Sequence, residues 1–148
     1  MLATNKRAFF DYEILETLEA GLVLSGPEVK AAKLAHISLK GTYITFRGQE
    51  ACITNMDISR YKPAGPMPDY EPTRSRKILL RKRQIAYLRE KSLEKGLTII
   101  PLEVYTKGHL IKVKIGLGRG KKQYDKRETI KKRDIQKEIR RTLKNPKF

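Results

Sequence analysis

The stretch LTIIPLEVYTKGHLIKVKIGL, residues 97–117, is a β-hairpin written in alternation. LTIIPLEVYT (97–106) and LIKVKIGL (110–117) are two apolar, β-branched runs, with Lys107-Gly108 as the turn between them. In the second run Ile111, Val113, Ile115 and Leu117 share one face, and Lys112 and Lys114 share the other. That pattern predicts a strand buried on one side and wet on the other. Pro101 lacks a backbone donor, so it requires an edge or a bulge.

Upstream, TYITFR (42–47) and EACITN (50–55) flank Gly48-Gln49 and predict another hairpin. FFDYEILETL (9–18) reads as a half-buried strand, with Phe10, Tyr12 and Ile14 on one face and Asp11 and Glu13 on the other. A turn at Glu19-Ala20-Gly21 leads to a further apolar run, GLVLS (21–25). Gly26-Pro27-Glu28 starts a helix near 27–35, with Val29 and Ala32 inward. A second helix is expected over 82–95, with Ile85, Leu88 and Leu93 on one side and Gly96 as its stop. KILL (77–80) reads as extended, and 57–76, with four prolines, as a long irregular connection. About six short antiparallel strands with flanking helices suit a small closed sheet. An oligonucleotide-binding (OB-like) β-barrel over 1–120 is the expectation, and an SH3-like barrel is the alternative.

Charge is segregated. The chain carries 33 Lys/Arg and 16 Asp/Glu, a net of +17 over 148 residues. From Arg119 onward thirteen Lys/Arg face four Asp/Glu, a net of +9 in thirty residues. So much charge with so few apolar residues cannot offset the entropy of ordering, so 121–148 is expected to be a basic tail, disordered alone. Yet Ile135, Ile139 and Leu143 recur every fourth residue, and a helix from Glu128 to Lys144 would reach about 25 Å. A polyanion that orders this tail is the natural partner, with nucleic acid first and an anionic membrane second. No apolar run near 18 residues predicts a membrane span, and MLATNKRAFF does not read as a secretion signal. The lone Cys52 is compatible with a reducing cytoplasm.

Chemistry is sparse. His36, His109 and Cys52 lie too far apart in sequence to suggest a metal site, and no cofactor motif is present. Asp11 and Glu13, on one strand face, could form a carboxylate pair for Mg²⁺-dependent nuclease work, but a polar outer face explains them as well. Gly116, Gly118 and Gly120 lack the spacing of a nucleotide fingerprint. The reading is non-enzymatic. Basic groups at Lys6-Arg7, Arg74 to Lys77, Arg81 to Arg83, Lys112/Lys114 and Arg119 to Arg127, with Tyr61 and Tyr124 as stacking candidates, suit nucleic acid.

Six motifs in order carry a more specific signal. They are N-K-R-A with D-Y after it (Asn5 to Tyr12), E-A-G (Glu19 to Gly21), G-x-E-V-K (Gly26 to Lys30), P-x-R-x-R-K with I-L-L (Pro72 to Leu80), E-K-G-x-T (Glu94 to Thr98) and G-K-K-x-Y-D-K-R (Gly120 to Arg127). Together, from Asn5 to about Lys144, they resemble the small protein B (SmpB, SsrA-binding) family of bacterial trans-translation. Phe9-Phe10, Pro27, Glu71 and Arg119 depart from the family's usual residues.

The resemblance implies an OB-type barrel that binds the tRNA-like domain of tmRNA and delivers it to stalled ribosomes. It implies RNA contacts at Asn5, Glu19, Leu79 and Lys112, to which the basic groups above add Lys6, Arg7, Arg76, Lys77 and Lys114. Further contacts fall at Gly120, Lys121, Lys122, Tyr124, Asp125, Lys126 and Arg127. It also implies a tail, helical on the ribosome, that enters the mRNA channel of the small subunit near the decoding-centre RNA. Lys131, Lys132, Arg133, Ile135, Lys137, Arg140, Arg141 and Leu143 would make those contacts. Elongation factor Tu with alanyl-tmRNA, a monomeric state and a cytoplasmic location follow from the same resemblance.

Overall fold

In the computed structural model, residues 1–66 and 68–121 are described. The tail residues from Lys122 onward, and the expectations placed on them, lie outside the described residues. β8 (Leu97–Lys107) and β9 (Leu110–Gly120) form the expected hairpin. Lys107 pairs with Leu110, so the turn is Gly108-His109, one residue later than Lys107-Gly108. Gly108 has φ +62°, a left-handed conformation that glycine adopts without a Cβ clash. Pro101 sits at a bulge between Pro101 and Glu103, which accommodates its missing donor.

β2 (Tyr12–Leu22) runs antiparallel to β9 along almost its whole length. It corrects two expectations. Residues 6–11 are a helix, α1 (Lys6–Asp11), so Phe9, Phe10 and Asp11 are not strand residues. The Asn5 side chain caps α1, and Ala8 packs against Ile100 and Leu102, a gain that outweighs the alternation of 9–14. Nor is Glu19-Ala20-Gly21 a turn: these residues pair with Lys114, Val113 and Lys112 inside the strand.

α2 (Gly26–Lys33) opens with a capping box in which Ser25 and Glu28 bond each other's backbone N–H. β3 (Ile37–Ser38) and β6 (Asp57–Ile58) form a separate two-stranded ladder. β4 (Tyr43–Arg47) and β5 (Glu50–Thr54) are the expected hairpin around Gly48-Gln49. The irregular 57–76 connection holds β6, a 3₁₀ turn at Lys62–Ala64 and the start of β7 (Arg76–Leu79). α3 (Lys82–Ser92) buries Ile85 and Leu88 and stops before Lys95. Leu93 lies about 100° off the Ile85–Ser92 stripe and is 84% exposed, not inward as its spacing suggested.

A short N-terminal strand, β1 (Ala3–Thr4), completes a seven-stranded antiparallel sheet ordered β1-β8-β9-β2-β7-β5-β4. The expected fold class, mainly antiparallel β with flanking helices, is met. The described ladder runs from β1 to β4, and barrel closure is not part of it. One face carries the core: Ala20, Ile53, Ile78, Val104, Ile111, Val113, Ile115 and Leu117 are buried together with Leu88 of α3. Each fully buried aliphatic side chain contributes about 1.5–3 kcal/mol, so this face is what holds the sheet against α3. Among the described residues no helix is long and apolar enough to cross a membrane.

Candidate nucleic-acid interface

The other face of the sheet is where the chemistry gathers. Directly paired residues in an antiparallel sheet point to the same side, so the register defines two rows. In one, Tyr105 of β8 opposes Lys112 of β9, which opposes Gly21 of β2, which opposes Leu79 of β7. In the other, Glu103 opposes Lys114, which opposes Glu19. Four of the expected residues, Glu19, Leu79, Lys112 and Lys114, thus share one outer patch across three neighbouring strands. Leu79 is 55% exposed there. A Cβ on Gly21 would come within 3.2 Å of the Leu79 Cβ, so the glycine makes the seat in which that leucine lies. Lys77, two residues along β7, joins the same face and pairs with Glu50 at 3.2 Å.

The acids on this face are held by neighbours. The Tyr105 hydroxyl donates to Glu19 Oε2, and Lys107 Nζ donates to Glu19 Oε1 at 3.3 Å. The Tyr105 hydrogen bond, against a smaller opposing effect of burial, keeps the Glu19 carboxyl below its usual range, with Lys107 and Lys112 adding positive charge. Burial and the bond to Glu19 push the Tyr105 hydroxyl up to about 12. Lys114 lies 3.6 Å from Glu103. The surface therefore presents lysines, an ionised carboxylate and an exposed leucine within one patch, a mixture suited to phosphates, base-edge donors and base or sugar faces respectively.

The remaining expected residues separate into groups. Lys6 and Arg7 are exposed on α1; Arg7 pairs with Asp11 at 2.9 Å and lies 5.3 Å from the Phe10 ring centre. Asn5 is 8% exposed, and its side chain works inside the protein. It accepts from the Ala8 N–H at 3.1 Å and donates to Pro101 O at 3.0 Å, while its backbone N–H donates to Leu102 O at 2.7 Å. It thereby satisfies the carbonyls that the β8 bulge turns out of the ladder. Gly120 pairs with Tyr12, and the Lys121 N–H donates to Asp11 O at 2.8 Å, so the tail leaves beside α1. Lys122, Tyr124, Asp125, Lys126 and Arg127 lie outside the described residues, as does the tail set from Lys131 to Leu143. Tyr61, a stacking candidate, packs half-buried on the core with Lys30 Nζ 5.6 Å from its ring centre.

Arg76 corrects an expectation outright. Its side chain has no exposed surface and is paired with Glu28, itself 1% exposed, at 2.6 Å. The guanidinium also donates to Met56 O at 2.5 Å, Pro72 O at 2.8 Å and Arg74 O at 3.1 Å. Arg74 closes on the same carboxylate, and the Tyr70 hydroxyl, 3.4 Å from it, donates its one proton to Ile58 O at 2.6 Å. Burial pushes the Glu28 carboxyl up, but hydrogen bonds from Arg74, the Ser25 N–H and Arg76 outweigh it and hold it at about 2. Arginine in a basic run looked like an RNA ligand; here it is the pin of the 57–76 connection, because one buried acid demands a buried base.

Asp11 and Glu13 do not form a carboxylate pair on a strand face, since Asp11 ends α1. Among the described residues no group of three or more His, Cys, Asp or Glu is gathered for a metal ion. Three residues of the patch were absent from the expected set: Tyr105, Lys107 and Glu103. Their signal was the turn. Once Gly108-His109 is taken as the two-residue loop, Tyr105 must oppose Lys112 and Glu103 must oppose Lys114.

Comparison with known proteins identifies the family. The model of the SmpB protein family matches residues 2–145. The chain is 48% identical over 143 residues to the SsrA-binding protein of Prochlorococcus marinus subsp. pastoris, covering 97% of this chain and 82% of the relative. It is likewise 48% identical over 144 residues to the SsrA-binding protein of Ligilactobacillus salivarius, covering 97% and 92%. A solved chain described by "tmRNA-SmpB: a journey to the center of the bacterial ribosome" superposes with a TM-score of 0.68 and 38% identity, over 86% of this chain and 92% of that one. The chain belongs to the SmpB family.

Proposed function

We propose that this protein is an RNA-binding adaptor of trans-translation. It binds the tRNA-like domain of tmRNA and brings it to stalled ribosomes, so that incomplete proteins are tagged and the ribosomes freed. The observation that carries the reading is the outer patch, where Leu79, Gly21, Glu19, Lys112 and Lys114 are brought together from far apart in sequence by strand register alone. Family membership and the tmRNA-SmpB relative support the choice of RNA. Lys112, Lys114 and Lys77 meet phosphates there, Leu79 packs on the RNA surface, and Lys6 and Arg7 extend the basic rim along α1. Asn5 supports the interface from beneath, by fixing α1 to β8.

The tail continues from Lys121 beside α1, and its function is the ribosomal step. In this reading Lys131, Lys132, Arg133, Lys137, Arg140 and Arg141 meet ribosomal RNA, while Ile135 and Leu143 line one edge of a helix formed in the mRNA channel. The protein works as a monomer in the cytoplasm, entering with alanyl-tmRNA and elongation factor Tu.

A competition titration of the tRNA-like domain against ordinary tRNA, run across a salt series, tests the reading. Selectivity that persists as salt rises supports it; two affinities that fade together would leave only a generic basic RNA binder. Lys112→Gln should lower the salt slope by about 0.7–0.9 if that lysine meets one phosphate. Cutting the chain after Gly120 should hurt tagging on stalled ribosomes more than affinity for the tRNA-like domain. Loss of binding itself would overturn the division between sheet and tail.

A further inference from the structure

Glu19 is the anomaly of the patch. A carboxylate beside RNA phosphates is repelled unless it accepts hydrogen bonds from donors, and RNA offers these on base edges and 2′-hydroxyls. A carboxylate has about four acceptor sites. Two are occupied within the protein, one on each oxygen, by the Tyr105 hydroxyl and by Lys107 Nζ. Both donors come from β8, which is not hydrogen-bonded to β2; β9 lies between them. The two side chains therefore reach across a whole strand to hold this acid. Its side chain is nevertheless 38% exposed, which leaves the other acceptor sites open to solvent.

We propose that Tyr105 and Lys107 are positioning residues for Glu19, orienting its carboxylate to accept hydrogen bonds from N–H donors of an unpaired RNA base. The proposal rests on the outer-face reading above and adds to it the chemistry of the contact. An unsupported glutamate samples several rotamers and loses entropy on binding; one clamped at both oxygens has already lost it. Lys107 also offsets the charge that phosphates would otherwise repel. Affinity from this group is therefore selective and nearly salt-independent, whereas affinity from Lys112 and Lys114 is general and salt-dependent.

A double-mutant cycle tests this on the full chain, with the tRNA-like domain of tmRNA and ordinary tRNA as the two probes. Tyr105→Phe removes one hydroxyl and should weaken binding to the tRNA-like domain about 3–10-fold, the range of one hydrogen bond. Ordinary tRNA affinity, salt slope and the unfolding midpoint should not move. In a Glu19→Gln background the same change should have no further effect. Lys107→Gln repeats the test independently of any packing change at the tyrosine, and should give a smaller loss with the same dependence on Glu19. If Tyr105→Phe weakens both RNAs equally, or weakens binding as much without Glu19, positioning is overturned. If Glu19→Gln weakens selective binding but neither β8 variant does, only the positioning inference falls. If Glu19→Gln changes nothing, the outer-face reading falls with it.

Discussion

Glu28 and Glu19 each lie against a tyrosine hydroxyl and accept from basic side chains, yet they sit in opposite surroundings. Glu28 is 1% exposed in the first turn of α2, with Tyr70, Arg74 and the wholly buried Arg76 around it. Glu19 is 38% exposed on the outer sheet face, with Tyr105 and Lys107. Burial turns the same chemistry to different ends. A buried ion pair must be complete, because a lone charge in the core costs several kcal/mol, so the first cluster fixes where the 57–76 connection runs. A solvent-exposed cluster contributes little to stability and is left with unfilled acceptor sites, which is what recognition needs. In the first, the charge serves folding; in the second, it stays open to solvent.

The sharpest way to break this contrast is at the buried pair. Glu28→Gln leaves Arg76 charged without its counter-ion and should cost about 3–5 kcal/mol, read as a fall in the urea midpoint at constant slope. The same cluster predicts a pH dependence. The folded carboxyl stands at about 2, below its ordinary 4.5, so its contribution is present above pH 4.5. That contribution, about 3 kcal/mol, drains away as pH falls toward 2. Glu28→Gln should remove this part of the acid sensitivity; a variant that keeps the full wild-type slope between pH 5 and 2 would place the sensitive group elsewhere.

Next in size is the seat under Leu79. Gly21→Val puts methyl groups where a Cβ alone already meets Leu79 at 3.2 Å. Overpacking there should cost about 1–3 kcal/mol and move Leu79 out of the patch, lowering affinity for the tRNA-like domain more than for ordinary tRNA. Equal effects on both RNAs would show that the seat serves folding alone. The smallest expected effect is at Lys77–Glu50, where both side chains are about half exposed. Lys77→Ala should change stability by less than about 1 kcal/mol. A larger loss would mean that exposure is not what separates the two kinds of charge in this protein.

Much of the fold was legible because it rests on alternation. Ile111, Val113, Ile115 and Leu117 turned inward as their parity required, and the Gly48-Gln49 hairpin closed where a two-residue loop was written. The errors fell where a local pattern met a distant partner. Phe10, Tyr12 and Ile14 alternate as a strand does, but Asn5 and the carbonyls of Pro101 and Leu102, nearly a hundred residues away, draw residues 6–11 into a helix. Glu28 looked like an acid favouring a helix start, which it is; nothing near it in sequence announced Arg76 as its partner 48 residues on. Motif order pointed to Glu19, Leu79 and Lys112, which share the outer face, and passed over Tyr105, whose place beside them depends on the position of the turn.

The sequence by itself determined what local periodicity and charge can encode: which residues face the core, where α2 begins, that the C-terminal end is basic, and the family. Only the tertiary structure decided which charges are spent inside and which are displayed. Arg76 and Lys77 are neighbours in the chain, yet strand parity sends one to Glu28 in the core and the other to Glu50 at the surface. The physical reason is that burial is a property of the whole packing. The worth of a charge depends on the water removed from around it, and no short stretch of sequence records that.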